Sequence, residues 1–491
     1  YKLQGSNGEL FVLIISGSET VYVNGVVVER GESKDYIINY NAGEIIFNST
    51  FPITSEMRIT VDYQFSDRNY SRLIALGGGN YETDKLKIGV SVYSENDAKN
   101  QPLQQNLSTE QVQILANAGD DMSLMVAPSG VAELFNENRI LYKKELTNGL
   151  EIFVFSNNPD DELFRVKFSL VGENLGNYIL SSITAISNIY EYIAPISGIP
   201  QGKYAPIVQL IAPTKLQIAV LNGSYTPSEK TTINFEIAGS KTDLNLFSSL
   251  DDTNNDGFAG HLKVEQNIIK NDSLWNVNLL IDGNFIHDNF KTVERLYRAE
   301  FNRDWNIENP LGNQQLLTTG LQLFHPKKGM VSYQFEHLNY AENFNGNRHV
   351  IFADLHVNKF NIFSNSSVLN AKSNINTSSF FRSFNRITYT YNKGWIGTKL
   401  AVENNEQKNK TTNELTVLSQ KFSSYQFFIG IGDSTKVFAE IGYKYRVNDS
   451  IRNNRLEKVN TSNTYYINSK IIQNKNTNLS LYVNYRTLKS E

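Results

Sequence analysis

From residue 206 to residue 491 the sequence is cut into segments of about ten residues that alternate apolar and polar side chains, and this repetition limits the fold more than any other feature. The clearest runs are Thr231–Ala238, Leu274–Ile281, Val331–Phe335, Arg386–Tyr391, Tyr425–Ile431, Val437–Tyr445 and Leu479–Tyr485. Asn, Asp, Gly and Ser separate them at hairpin spacing, and no helical period intervenes. A period of two sends successive side chains to opposite faces, so each segment is a strand with one apolar and one polar face. A soluble sandwich or solenoid also alternates. Many Tyr and Phe sit near segment ends, where interfacial girdles would put them. Three features favour the membrane: a mean hydropathy of -0.36 despite 12% aromatic residues, a complete lack of Cys, and turn signals that recur at hairpin spacing from residue 206 to residue 491 without a helix. The expectation is an all-β chain: a transmembrane antiparallel β-barrel of roughly 14 to 16 strands over residues 205–491, preceded by a β-rich non-barrel domain over residues 1–204.

The first part reads as β as well. Val21-Tyr22-Val23 and Val26-Val27-Val28 flank Asn24-Gly25, the pair that best tolerates the two positive φ angles of a type I′ turn. A second hairpin is expected where Asn41-Ala42-Gly43 separates Tyr36–Tyr40 from Glu44–Phe47, and Met57–Phe65 and Leu86–Tyr93 alternate as half-buried strands. Asp97–Pro102 reads as a loop. Ser108 followed three residues later by Gln111 forms a capping-box pattern, which predicts a helix over Thr109–Asn117 closed near Gly119. Residues 131–170 return to β, with Ile152–Phe155 and Phe164–Phe168 the clearest runs. Pro195, Pro200, Pro206 and Pro213, interspersed with Gly198 and Gly202, place the junction near residue 205.

Composition removes several classes of function. With 46 Lys plus Arg against 50 Asp plus Glu and no basic run, nucleic acid is not expected as a partner, because phosphate neutralisation needs clustered cations. The absence of Cys excludes disulfides, thiol nucleophiles and Cys-ligated metal sites. No segment approaches the roughly 20 apolar residues of a membrane helix; Leu10–Ile15 and Val131–Phe135 are far too short. The chain opens on Tyr1 and is read as processed or partial, so the lack of a signal peptide says nothing about export.

Particular residues add a resemblance. Val21–Gly25 with Glu29-Arg30-Gly31, then Asp35–Phe47, resembles the hairpin, RG and DYxIDYxxGxIxF module of large Bacteroidota cell-envelope proteins, and Ile59–Asp67 continues it. Gly202–Pro206, Asp243–Ser248 and Glu300–Asn306 resemble that group too, so the similarity touches both halves of the chain. It implies an outer-membrane β-barrel behind a β-rich domain, in an envelope that carries multi-subunit assemblies for barrel insertion, secretion and lipoprotein export. The end of the chain, Lys489-Ser490-Glu491, lacks the terminal aromatic residue common in outer-membrane barrels.

Candidate chemistry is sparse. Asp252-Thr253-Asn254-Asn255-Asp256-Gly257 matches the first half of a calcium loop, in which Asp252, Asn254 and Asp256 would turn oxygens toward a hard cation. Lys263 stands where an EF-hand would carry its bidentate Glu, and the competing reading is a polar turn whose Asx side chains cap their own backbone. The six His residues all fall beyond residue 205 without a metal-ligand spacing. Glu300, Arg303 and Asp304 around Trp305 are read as an ion-pair network lining the lumen, in preference to a paired-carboxylate active site. Gly77-Gly78-Gly79 lacks the ending of a phosphate loop and reads as a flexible turn.

The function expected from all this is a non-enzymatic outer-membrane subunit of a cell-envelope complex for outer-membrane protein biogenesis or export. Its partners would be membrane lipid and other outer-membrane or lipoprotein subunits, with strand addition at a sheet edge as the docking mode. A free-standing pore or solute transporter is the alternative, and an outer-membrane enzyme stands third.

Overall fold

The computed structural model describes residues 1–5, 12–49, 51–54, 56–66, 69–103, 105–147, 149–184, 186–271, 273–433, 436–474 and 477–491. Leu10, Phe11 and Asp67, which figure in the sequence motifs above, lie outside them.

Sixteen strands form one antiparallel sheet. They are β1 (Tyr70–Glu82), β2 (Leu86–Pro102), β3 (Lys215–Ser228), β4 (Thr231–Asp243), β5 (Asp256–Ile269), β6 (Asn276–Ile286), β7 (Gln314–His325), β8 (Gly329–Tyr340), β9 (Phe344–Val357), β10 (Phe360–Ser373), β11 (Asn376–Tyr391), β12 (Gly394–Asn409), β13 (Gln420–Gly432), β14 (Phe438–Arg452), β15 (Arg455–Gln473) and β16 (Asn478–Ser490). Each pairs with its neighbour in chain order, so every connection within the sheet is a hairpin or an elaborated hairpin. The seven strand runs read beyond residue 205, and Leu86–Tyr93, fall within these elements or overlap them. Side chains of β4 through β14 line one shared cavity, so the sheet is strongly curled. β1 and β16 are its outermost strands, with no ladder between them among the described residues.

The sheet does not begin near residue 205. β1 and β2 come from the part that the sequence reading left outside it, and β2 pairs directly with β3, Asn96 opposite Lys215 and Leu86 opposite Tyr225. Residues 103–214 are therefore an insertion between two neighbouring strands, and the Pro and Gly cluster marks the chain's return to the sheet. Two smaller readings change with it. Asp97–Pro102 continues β2 because the Asp97 carboxylate is held by Arg72 Nε at 2.7 Å and by the Thr214 amide at 2.9 Å. Gly77-Gly78-Gly79 lies inside β1, where a Cβ on Gly78 would meet the Val90 carbonyl oxygen at 2.6 Å.

One end of the sheet carries only short connections, the longest being 270–275. The other carries the insertion 103–214 and the connections 244–255, 287–313 and 410–419. At that second end sits the N-terminal domain, built around Leu3, Val12, Ile14, Val21, Val23, Val28, Tyr36 and Ile45. Its three-stranded sheet joins Val26–Val27, Thr20–Val23 and Ile59–Asp62. Asn24 (φ 52°) and Gly25 (φ 78°) make the first hairpin turn as read from the sequence. The second hairpin pairs Tyr36–Asn39 with Glu44–Phe47.

In the insertion, helix α1 (Thr109–Ala118) opens on the predicted capping box: Ser108 Oγ accepts from the Gln111 amide at 3.2 Å, and Gln111 Oε1 accepts from the Ser108 amide at 3.0 Å. The 244–255 connection closes the other end of the helix. Asn245, fully buried, donates through Nδ2 to the carbonyls of Leu115 (2.7 Å) and Gly119 (2.6 Å), and Ser248 Oγ donates to that of Ala116 at 2.9 Å. The last-turn carbonyls that a helix leaves unsatisfied are thus met from the sheet rim.

Candidate functional site

The cavity on the concave face has a volume of about 1620 Å³. Two pieces of chain reach it from the long-connection end. The first is connection 287–313, which folds inward and carries helix α2 (Phe301–Trp305). Trp305 is 1% exposed and packs with Ile307, Leu338, Phe344, Leu369, Ala371 and Phe380 against the inside of the sheet. Gly346 makes room for it, since a Cβ there would come within 3.2 Å of both the indole and the Phe344 ring. Asn306, left-handed at φ 56°, ends the helix and exchanges two side-chain hydrogen bonds with Asn405 of β12 at 2.6 and 3.0 Å.

The polar side of the same helix is an ion-pair lattice. Asp304 lies 2.7 Å from Arg382, 3.5 Å from Arg298 and 3.7 Å from Arg348. Arg303 pairs with the buried Glu403 of β12 and lies 3.6 Å from Glu300. The Glu300, Arg303, Asp304 and Trp305 cluster read from the sequence is therefore assembled as a lining network, and each of its carboxylates is bound by arginine.

The second piece is the tip of the N-terminal domain. Arg58 meets Glu300 at 3.0 Å, Asp62 pairs with Arg295, and the Gly25 turn rests on the Glu300 side chain, where a Cβ would stand 2.7 Å from Cγ. Glu56 reaches the far wall. Its carboxylate accepts from Lys444 Nζ at 3.0 Å and Arg486 Nη2 at 2.6 Å, with Arg446 Nε at 3.5 Å. Burial works to raise the Glu56 pKa, but these three cations prevail and hold it below the usual carboxylate range. The Arg446 guanidinium in turn lies 3.9 Å from the centre of the Phe422 ring.

The proposed metal residues lie elsewhere. Asp252 and Asn254 form a single 3-10 turn in connection 244–255, where Asp252 Oδ1 accepts from Asn255 Nδ2 at 3.0 Å. Asp256 opens β5 and lies 3.6 Å from Lys241, its side chain mostly exposed. Backbone bonds from the Asn254 amide to the Asp251 carbonyl and from the Asn255 amide to the Asp252 carbonyl hold this turn. Nearby on the insertion, burial and then Asp251, Asp243 and Asp252 push the Asp120 carboxyl up to about 6. Among the described residues no three His, Cys, Asp or Glu side chains are placed to hold a metal ion. The His residues do not gather either: His261 faces Asp282 at 3.2 Å, His337 bonds Asn347 and His349 bonds Tyr333, each at 2.8 Å.

Sequence reasoning missed the Glu56 contact with Lys444, Arg446 and Arg486. Lys444 and Arg486 lie 388 and 430 residues from Glu56 along the chain, and nothing local in Thr54–Arg58 marks the contact out.

Residues 1–67 match the family described as Domain of unknown function (DUF8818). No curated protein sequence matches the chain. Among solved structures, Pseudomonas aeruginosa OccK5 (OpdH) aligns at 10% identity over 57% of this chain and 88% of its own, with a TM-score of 0.27. A BenF-like porin from Pseudomonas fluorescens Pf-5 aligns at 7% identity over 57% and 87%, TM-score 0.25. Acinetobacter baumannii OccAB3 aligns at 11% identity over 57% and 87%, TM-score 0.27.

Proposed function

We propose that the chain forms an outer-membrane β-barrel pore whose own N-terminal domain stoppers the lumen from the long-connection end. The observation that carries this reading is Glu56, which leaves the N-terminal domain to pair with cations on β14 and β16 deep in the curled sheet. Membrane placement is supported by the convex face. There Leu317 and Leu321 of β7, Phe427, Ile429 and Ile431 of β13, and Ile441 of β14 stay exposed at alternate positions, a band far larger than soluble proteins leave in water. The inward face is polar and charged, as a water-filled lumen requires. Binding and gating suffice to explain the ion-paired carboxylates of α2, so no catalytic role is assigned to them.

The subunit reading keeps one specific observation in its favour. β1 and β16 expose residues of both faces, among them Leu76 and Tyr485, and such edges suit strand addition by a partner in a cell-envelope complex for biogenesis or export.

Single-channel recording of the purified chain in planar bilayers tests the pore. The wild type should stay closed most of the time, and the double variant Glu56→Ala, Arg58→Ala should show sustained open-channel current. A folded, heat-modifiable double variant that stays silent would sink the proposal.

A further inference from the structure

The hydrogen-bond register of the sheet places cations side by side across the lumen wall. Arg386 of β11 stands directly opposite Lys399 of β12. Lys399 stands opposite Gln426 of β13, and Gln426 opposite Lys444 of β14. Two strands further along the same row, through Thr464, comes Arg486 of β16. Arg386, Lys399, Gln426 and Lys444 all line the 1620 Å³ cavity.

Like charges facing each other across a strand pair are destabilising, so a wall that keeps Arg386 against Lys399 needs a compensating anion. Among the described residues neither forms an ion pair. Lys399 rests over the Phe428 ring at 5.3 Å. Glu440 of β14 accepts from Trp395 Nε1 at 2.9 Å and from Tyr466 Oη at 3.0 Å. The other half of the row is occupied: Lys444 and Arg486 both bind the Glu56 carboxylate of the stopper.

We infer that this row is a binding site for a solute carrying two or more carboxylate or phosphate groups, and that Glu56 is a tethered anion occupying part of it. The inference rests on the stoppered-pore reading and adds what the pore takes and what loosens the stopper. Neighbouring strands stand about 4.8 Å apart, so the run from Arg386 to Lys444 spans about 14 Å, too wide for one carboxylate and suited to several oxyanions on one solute. Such a solute would enter from the short-turn end, bind Arg386 and Lys399 first, and compete with Glu56 for Lys444. Charge-assisted hydrogen bonds of this kind are shorter and stronger than neutral ones, which makes the exchange specific to anions.

Isothermal titration of the full chain in detergent with citrate, against chloride as the reference anion, tests the site without any current being read. Citrate should bind, Arg386→Gln with Lys399→Gln should weaken it about tenfold or more, and Arg386→Lys with Lys399→Arg should retain it. Glu56→Gln should tighten citrate binding, because it frees Lys444 and Arg486. Equal citrate affinity in all these proteins overturns the site, as does wild type that binds no citrate. If the Gln pair does not fold, Glu56→Gln decides alone, and no gain in affinity refutes the tethered-anion assignment. Current in the stopper variant without citrate binding would remove the site and leave the pore. Citrate binding lost in the Gln pair, with silent bilayers throughout, would remove the pore and leave the site.

Discussion

Glu56 sits half-buried on a domain that is otherwise held together by its own apolar core, and three cations of the sheet converge on it. Hydrogen bonds to charged groups contribute about 1.5 to 3 kcal/mol each way the pair is broken, so this carboxylate is a large part of what seats the stopper. Its pKa in the folded protein is lowered against the opposing effect of burial. A depressed carboxylate contributes stability that is fully present above its unfolded pKa and is lost as pH falls through the folded value. The stopper should therefore hold at neutral pH and release only on the acid side of the ordinary carboxylate range. Bilayer current recorded between pH 7 and pH 3 should rise toward acid in the wild type. In Glu56→Gln it should already be high at pH 7 and change little. A wild-type current that is flat across this range would deny Glu56 the role of latch. Nothing in Thr54–Arg58 announces that role, because a latch is defined by what it meets, and its partners lie on β14 and β16.

The elements themselves were far more legible. Period-two alternation needs only neighbouring residues, so β4, β6, β8, β11, β13, β14 and β16 could be read from local runs, and the Ser108 and Gln111 pair gave α1 its start. Asn24-Gly25 turned as its two positive φ angles require. Where the reading failed, a distant contact overrode a local signal: Asp97 looks like a loop residue until Arg72 and Thr214 hold it in β2. The segment Asp243–Ser248 shows the same limit from the other side. Its sequence was noticed as a motif, while its work, closing the end of α1 through Asn245, depends on a helix more than a hundred residues away. Removing a buried double donor leaves two helix carbonyls without partners, a loss of about 1 to 3 kcal/mol. Asn245→Ala should accordingly loosen α1 and leave the sixteen-stranded sheet intact. Hydrogen exchange should then quicken at Val112–Ala118 with the strand amides unchanged; uniform protection of the helix in the variant would contradict the assignment.

At the scale of the whole molecule, the strand count was readable and the sheet's order was not. Fourteen of the sixteen strands lie beyond residue 205, within the range expected from segment length, yet β1 and β2 are separated from the rest by an insertion that looks like a domain in its own right. Register, too, escapes the sequence: Arg386, Lys399 and Lys444 form a row only once three hairpins are aligned. The same sheet poses a question at its margins. Unpaired backbone groups in hydrocarbon cost several kcal/mol each, so lipid does not tolerate open edges at β1 and β16. Successive strands alternate in direction, and with sixteen of them β1 and β16 run antiparallel to each other, the orientation that closure needs. A pore needs a sealed wall; a subunit could instead lend its edges to a partner. The chain contains no Cys, which makes the question directly answerable with introduced pairs. Gly77 lies near the middle of β1 on the convex side, and Leu481, Val483 and Tyr485 occupy the corresponding face of β16. A disulfide requires Cα atoms within about 7 Å, so it reports pairing and nothing looser. Gly77→Cys combined in turn with Leu481→Cys, Val483→Cys and Tyr485→Cys should give, for one of the three in native membranes, an internal cross-link that shifts mobility on a non-reducing gel. If none forms, and Gly77→Cys instead cross-links a second polypeptide, the wall is completed by a partner and the subunit reading displaces the self-contained pore.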